Sequence, residues 1–457
     1  MRQFLYFSIK LLALLLPALA TAHDFEVDGI YYNINGNEAT VTFRGRYCNS
    51  FYNEYSGSVV IPATVTHNGT TYPVTSIGEF AFSECSELTS IDLPNSITEI
   101  GQVAFGDCPG LTSIVIESGN PRYDSRNNCN AIIESANNTL IVGCKNTTIP
   151  NSVTAIGPGA FYGCTGLTSI DIPNSVTAIG HWAFCGCEGL TSIVIPNSVT
   201  DIGAEVFEWC TELSSIVVES GNPRYDSRNN CNAIIETAIN ELIVGCKNTT
   251  IPNSVTAIGG GAFSNCNGLT SIDIPNSVTD IGDAAFFSCV GLTSIVIPNS
   301  VTSIGDGAFC NCYELTSIVI PNSVTEIYDG AFSCCYELRD VYCYIADLSR
   351  VSSGNELFNL LNFDNYSGRT LHVLQGTADA YRADENWYTY FGRIVEDIFM
   401  GDVNRDLEVN IADVNAVINM ILGGNSSSIA ADVNGDREIN IADVNAVIDI
   451  ILGGTQN

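Results

Sequence analysis

The sequence predicts a mainly β fold: a solenoid of 23-residue coils closed by β caps, with a small α-helical module behind it. The segment LTSIVIPNSVTSIGDGAFCNC, residues 292–312, recurs in close copies from about residue 70 to 340. Its closing Phe-x-x-Cys, nearly always preceded by Ala, falls at Cys85 and Cys108, then Cys164, Cys187 and Cys210, then Cys266, Cys289, Cys312 and Cys335. Within each group the column advances by one coil at a time. Between groups, from Cys108 to Cys164 and from Cys210 to Cys266, it advances by one coil plus an insertion. A second, longer period runs through 401–457, where two acidic loops each lead into an apolar stretch and Asp402 recurs as Asp432. Fixed periods of this kind mark stacked repeats, because one unit cannot bury its own apolar face.

One coil can be derived from its residues. Ser294, Ile295, Val296 and Ile297 alternate as a short strand, with Ile295 and Ile297 on one face. Pro298 ends the strand because it cannot donate to a ladder. Asn299 and Ser300 turn the chain, Val301 and Ile304 point inward, and Gly305 allows a tight bend. Ala308 and Phe309 return to the core. The column Phe82, Phe105, Phe161, Phe184, Phe207, Phe263, Phe286, Phe309 and Phe332 is expected to stack as an aromatic spine. The cysteine column reads as small apolar packing rather than metal ligation.

These residues resemble the BspA-like leucine-rich repeat family, with its L-x-x-I-x-I-P-x-x-V-x-x-I-G-x-x-A-F-x-x-C pattern, through most of the span from 70 to 340. The resemblance implies a leucine-rich repeat solenoid and a role in adhesion or ligand binding. It does not name a ligand, since a repeat specifies scaffolding and not a site. Outward strand positions Asp92, Val115, Asp171, Val194, Val217, Asp273, Val296 and Val319 are the candidate ligand face.

Charge is one-sided, 17 Lys plus Arg against 50 Asp plus Glu, a net of −33, and only three of the basic residues are Lys. That excludes nucleic acid and anionic membrane surfaces as partners. Residues 1–22 read as a signal peptide: Arg2 and Lys10 supply charge, Leu11 to Leu16 the apolar core, and Ala20-Thr21-Ala22 the cleavage site. No later stretch is long and apolar enough to span a membrane. The expected location is therefore secreted or cell surface.

Residues 23–77 are expected to form an N-terminal β cap and first coil, with a hairpin turning at Asn68-Gly69. The solenoid follows over 78–340. Its two insertions, 117–149 and 219–251, are nearly identical, as if a block of three coils plus insertion had been duplicated. Each is expected to hold two short strands, Ala131 to Glu134 and Thr139 to Val142 in the first copy, and to protrude, either as an insertion the solenoid tolerates with no ligand, the favoured reading, or as a binding loop. A hairpin centred between Ala136 and Asn137 would set Cys129 opposite Cys144, and the second copy would pair Cys231 with Cys246. Opposed residues lie about 4.5–5.5 Å apart at Cα, within disulfide reach. Disulfides Cys129–Cys144 and Cys231–Cys246 are therefore expected, with the column cysteines left as thiols. Residues 341–399 lose the period and read as a C-terminal cap, in which Trp387, Tyr388, Tyr390 and Phe391 seal the last coil.

In residues 400–457 the pattern Asp-x-Asn-x-Asp-x-x-x-Asn-x-x-Asp occurs twice. Oxygen donors at this spacing suit Ca²⁺. The first loop offers Asp402, Asn404, Asp406, Asn410 and Asp413 with the Glu408 carbonyl; the second offers Asp432, Asn434, Asp436, Asn440 and Asp443 with Glu438. Two ions are expected. Each loop leads into an apolar helix closed by Gly-Gly. The tail resembles a type I dockerin, which implies a cohesin-like partner. It departs from the EF-hand pattern at loop position six, where Leu407 and Arg437 replace Gly. It also has Ile411-Ala412 and Ile441-Ala442 where the best-known dockerins carry Ser-Thr, and these four are the candidate partner-binding residues.

Among four histidines, His23, His67, His181 and His372, none has zinc-protease spacing, and no Gly-x-Ser-x-Gly elbow or phosphate loop is present. The chain is therefore expected to be a non-catalytic binding or adhesion protein for a host or extracellular protein or glycan, docked through its tail. The alternatives are an accessory component of a polysaccharide-degrading assembly and, third, a glycoside hydrolase, whose two carboxylates no motif would betray.

Overall fold

The repeat dictates three ladders between neighbouring coils. The structure, a computed structural model, describes residues 23–44, 53–360, 368–403, 409–423, 429–433 and 439–452; the signal-peptide reading at 1–22 lies outside them. The chain divides into two units, 1–226 and 227–457.

In the first unit an antiparallel cap, Phe25–Val27, Ile30–Asn35 and Glu38–Thr42, opens the fold. Thr70–Ile77 pairs parallel to its last strand and antiparallel to Thr64–His67. The hairpin between those two turns at Asn68 and Gly69, both at positive φ (49° and 79°), as Asn-Gly in a tight hairpin requires. Gly57–Val60, Leu88–Leu93 and Ser113–Ile116 then stack in parallel, as do Ser192–Ile195 and Ser215–Val218. The register steps by one whole coil, so that Ile193 faces Ile216. Ile193 and Ile195 are buried while Val194 is exposed, the alternation that a half-buried strand requires.

The sequence reading put one strand in each coil. The structure adds a second, very short one at the turn before the glycine: Ala155–Ile156, Ala178–Ile179 and Asp201–Ile202 pair in parallel. A third ladder runs through the Ala-Phe corner, where Phe161 N–H donates to Ala183 C=O at 2.8 Å. Beneath it the phenylalanines stack, with centroids 5.1 Å apart for Phe82–Phe105 and Phe161–Phe184 and 5.5 Å for Phe184–Phe207. Tyr55 covers the open face of Phe82 at 4.6 Å. Aromatic pairs of this kind contribute about 0.5–1.5 kcal/mol beyond their burial. The column cysteines do more than fill space. Cys108 Sγ donates to Phe82 C=O at 3.0 Å and Cys187 Sγ to Phe161 C=O at 3.2 Å, satisfying a carbonyl of the preceding coil.

The second unit repeats this order. Ser294–Val296, Ser317–Ile320, Asp340–Cys343, Thr370–Leu374 and Arg393–Ile398 form one parallel sheet. Glu241–Val244, Ala257–Ile258, Asp280–Ile281, Ser303–Ile304, Glu326–Ile327 and Ser352–Ser353 form the short-strand row. The phenylalanine column runs Phe263, Phe286, Phe309 and Phe332 at 5.0–5.5 Å and continues onto Phe358 at 5.2 Å. The described residues of 341–399 therefore prolong the coils with irregular spacing. Trp387 and Phe391 close the column edge-on against Phe358 and Tyr381, while Tyr388 stays exposed. Arg369 is buried there. It donates from Nε to Leu338 C=O (3.0 Å), from Nη1 to Phe358 C=O (2.7 Å) and from Nη2 to Cys335 C=O (2.6 Å).

The insertion hairpins form at Ala131–Glu134 with Thr139–Gly143 and at Ile234–Glu236 with Glu241–Val244, but the expected disulfides do not. Ile133 faces Leu140, then a bulge slips the register so that Ile132 faces Val142. Past it Gly143 N–H leaves for Ala160 C=O, in the next coil, at 2.7 Å. Cys144 Sγ turns to Asn130 C=O (3.3 Å) and Cys129 Sγ to Ala131 C=O (3.7 Å). The second copy slips in the same place, with Cys246 Sγ on Asn232 C=O and Cys231 Sγ on Ala233 C=O. All four are free thiols.

Candidate functional site

The tail in the second unit is built from one motif used twice. Its helices are Ile411–Gly423 and Ile441–Ile451. Val403, Val414 and Val417 from the first half pack with their counterparts in the second, Val433, Val444 and Val447, in a small shared core. The burial pattern is the same along both helices, residue for residue, over 411–420 and 441–450. That is the signature of a pseudo-two-fold module.

Four aspartates, Asp402, Asp413, Asp432 and Asp443, are buried, and Asp413 and Asp443 are 0% exposed. Asp413 Oδ1 accepts from Val403 N–H (2.7 Å) and its Oδ2 from Asn410 N–H (2.9 Å); Asp443 does the same with Val433 (2.8 Å) and Asn440 (2.9 Å). Asn410 and Asn440 in turn accept from Ala412 and Ala442 N–H at 2.8 Å. Asn440 and Asp443 thus form a reciprocal capping box on their helix. The sequence reading saw these residues only as metal donors. They also start the helix and hold the two ends of the loop together. Asn-x-x-Asp ahead of an apolar run was the signal available for it.

Asn404, Asp406, Glu408, Asn434, Asp436 and Glu438 lie outside the described residues. Among the described residues no group of three or more His, Cys, Asp and Glu could hold a metal ion. The donors that are described fit a hard cation: they are oxygens only, and a buried carboxylate is costly unless a charge or hydrogen bonds compensate it.

Ile411, Ala412, Ile441 and Ala442 are all exposed. Ile411 and Ile441 are 67% and 66% exposed, and Leu422 and Leu452, one per helix end, are 80% and 77% exposed. Sequence reasoning did not single out the two leucines; their position just before the Gly-Gly end was the available clue. Each helix thus exposes one large apolar residue at its start and one at its end, at matching positions of the internal repeat.

The candidate ligand face is placed as follows. Asp92, Val115, Asp171, Val194 and Val217 are exposed in the first unit, and Asp273 and Val296 in the second. Val319 is not open: with Tyr342 and Met400 it packs on a buried cluster of Tyr344, Leu374, Ile398 and Ala430. Next in the column His372 stacks on Tyr342 at 4.4 Å between Asp397 (2.8 Å) and Asp340 (3.2 Å). Among the described residues no helix is long and apolar enough to cross a membrane.

The BspA type leucine rich repeat region matches residues 47–141, 133–242 and 243–358, and the dockerin type I domain matches residues 400–452. Neither family is a catalytic domain. No curated protein matches the chain. Similar solved structures include a leucine rich cell surface protein from Faecalibacterium prausnitzii A2-165, at 26% identity over 83% of this chain and 96% of that one, with a TM-score of 0.45. A leucine-rich repeat protein from Bacteroides ovatus is 28% identical over 77% of this chain and 71% of that one, TM-score 0.36. The pneumococcal vaccine antigen PcpA is 19% identical over 83% and 99%, TM-score 0.48. With three matched spans running through more than half its length, the chain belongs to the BspA-type leucine-rich repeat family and carries a dockerin type I domain at its C-terminus.

Proposed function

We propose that the chain is an exported, non-catalytic binding protein whose repeats take a protein or glycan ligand and whose tail docks on a cohesin-type partner when its two loops hold calcium. The observation that supports this most is the paired apolar surface, Ile411 with Leu422 and Ile441 with Leu452, each exposed to the same degree on helices related by the internal repeat. Calcium would be held by Asp402, Asn404, Asp406, Glu408 (carbonyl), Asn410 and Asp413 in the first loop and by Asp432, Asn434, Asp436, Glu438 (carbonyl), Asn440 and Asp443 in the second. It supplies charge neutralisation that lets each acidic loop close onto its helix. The open positions Asp92, Val115, Asp171, Val194 and Val217 in the first unit, and Asp273 and Val296 in the second, are the ligand positions this reading assigns.

The test is binding of the full chain to a panel of cohesin modules with calcium or with chelator. Ala412→Asp alone should cost at most a few-fold, because the module can turn through a half-turn and use its other face. Ala412→Asp with Ala442→Asp should abolish binding. Full loss from the single change refutes the two equivalent modes, and binding unaffected by chelator refutes the calcium requirement.

A further inference from the structure

Eight coils carry the turn Pro-Asn-Ser. Asn95, Asn151, Asn174, Asn197, Asn253, Asn276 and Asn322 are exposed, as turn asparagines usually are. Asn299 alone is half-buried, and the following Ser300 is buried. What covers Asn299 is the tail, far away in sequence: its Nδ2 donates to Oδ2 of Asp432 at 2.9 Å. Asp432 opens the second loop. A second contact seats the tail beside it. Ala430, two residues before Asp432 in the chain, is buried with Tyr344, Leu374 and Ile398, and Val319, Tyr342 and Met400 pack against that cluster. A polar and an apolar contact thus converge on the entrance of one loop.

We propose that the repeat domain completes the second calcium loop, with Asn299 as a positioning residue that holds the Asp432 carboxylate, so that calcium binding at this loop and seating of the tail on the repeat reinforce each other. The inference rests on the calcium reading of the tail. A carboxylate ligand is itself usually held by a hydrogen bond from outside the metal's own shell, and loss of such a partner typically weakens metal affinity about 10–100-fold. Asn299 donates that bond from a rigid coil rather than from the loop. Coupling is reciprocal, so whatever seating adds to calcium affinity, calcium adds to seating. The exposed pairs Ile411 with Leu422 and Ile441 with Leu452 remain open in the seated tail. Seating therefore leaves both docking faces free and fixes the direction in which the tail presents them.

The experiment is calcium titration calorimetry on the full chain in an Asp402→Ala background, which leaves the second loop as the only intact one. Asn299→Ala should weaken calcium binding about tenfold, whereas Asn197→Ala, the same turn in another coil, should leave it unchanged. Hydrogen exchange supplies a readout that affinity alone does not: calcium should slow exchange around Ser300 and Tyr344 in the parent and not in Asn299→Ala. Equal calcium affinity with and without Asn299 overturns the proposal while leaving the tail a calcium module. Absence of calcium binding in the Asp402→Ala chain, with binding intact in the Asp432→Ala chain, overturns it by showing that the second loop is not a site. Absence in both overturns the calcium reading as well.

Discussion

Two residues in each coil sit at positive φ: the one two before the column Phe and the one just before the column Cys. At the first position four coils use glycine, Gly159, Gly261, Gly307 and Gly330, but one uses Val103 at φ 52°. A β-branched residue there is strained by sterics between its side chain and the backbone. Val103→Gly is expected to raise stability by about 0.5–1 kcal/mol, the relief of about 1–2 kcal/mol being partly offset by glycine's entropy when unfolded. A urea midpoint that falls instead would show that Val103 packing outweighs the strain. Gly143 and Gly245 present the opposite case. Each lies against the phenylalanine column where the wide coil passes, and a Cβ on either would come within 2.1 Å of the ring of Phe161 or Phe263. Gly143→Ala should cost about 1–3 kcal/mol by overpacking, seen as a lower denaturation midpoint. The thiols make stability fall with alkaline pH. Burial pushes Cys85 and Cys343 up to about 11 and Cys164, Cys266 and Cys335 up to about 12, from an ordinary value of 9.0. The folded chain holds these protons more tightly than the unfolded chain. Their contribution is therefore complete below about pH 9 and is lost as pH rises through 11–12. Melting temperature should drop between about pH 9 and 11, and a flat profile there would contradict the burial of these thiols.

At the scale of the element, the coil was legible because its period is strict. Strand, proline stop, inward Val and Ile and the Phe-Cys corner each repeat at one offset, and every apolar position read as inward in 292–312 is buried. The second strand row was not legible, since its strands are too short to show alternation. Nor was the continuation of the sheet through Asp340–Cys343, Thr370–Leu374 and Arg393–Ile398. The interval lengthens between Asp340 and its partner Thr370, and Phe358 joins the column without a following Cys. The hairpin of the insertion was read correctly and its far end was not. Symmetry about Ala136-Asn137 holds only as far as Ile133 and Leu140. Beyond it the competing partner is the next coil, which takes Gly143 N–H at Ala160 C=O, and no local pattern announces a bond to a different coil. Alkylation in denaturant without reductant is therefore expected to label Cys129, Cys144, Cys231 and Cys246 in full. Retention of any two as a disulfide would mean that the bulge yields to oxidation.

On the scale of the whole molecule, the acidic balance and the two repeats act on different parts. A net charge of −33 disfavours compaction through self-repulsion, most where carboxylates are crowded, and the loops of the tail crowd them most. The columns of the repeat are apolar side chains packed on one another, so calcium is expected to act on the repeat only locally, at the coils the tail seats on, and not on its main unfolding. The tail has a small core, Val403, Val414, Val417, Ala431, Val433, Val444 and Val447, around four buried aspartates. A ligand that binds only the folded state stabilises it by about 2.7 kcal/mol at one hundred times its Kd. With two loops filled the tail should gain roughly twice that, and its Asn440–Asp443 capping box should tighten as the carboxylates are neutralised. Calorimetric scans of the full chain are thus expected to show a transition of the tail that moves to higher temperature with calcium and one of the repeat that does not. In chelator the helical signal of residues 411–423 and 441–451 should be lost first, well below the melting of the repeat. A single transition that shifts as one with calcium would mean that the repeat and the seated tail unfold as one cooperative unit, and it would place the coupling through Asn299 at the centre of the chain's stability rather than at its edge.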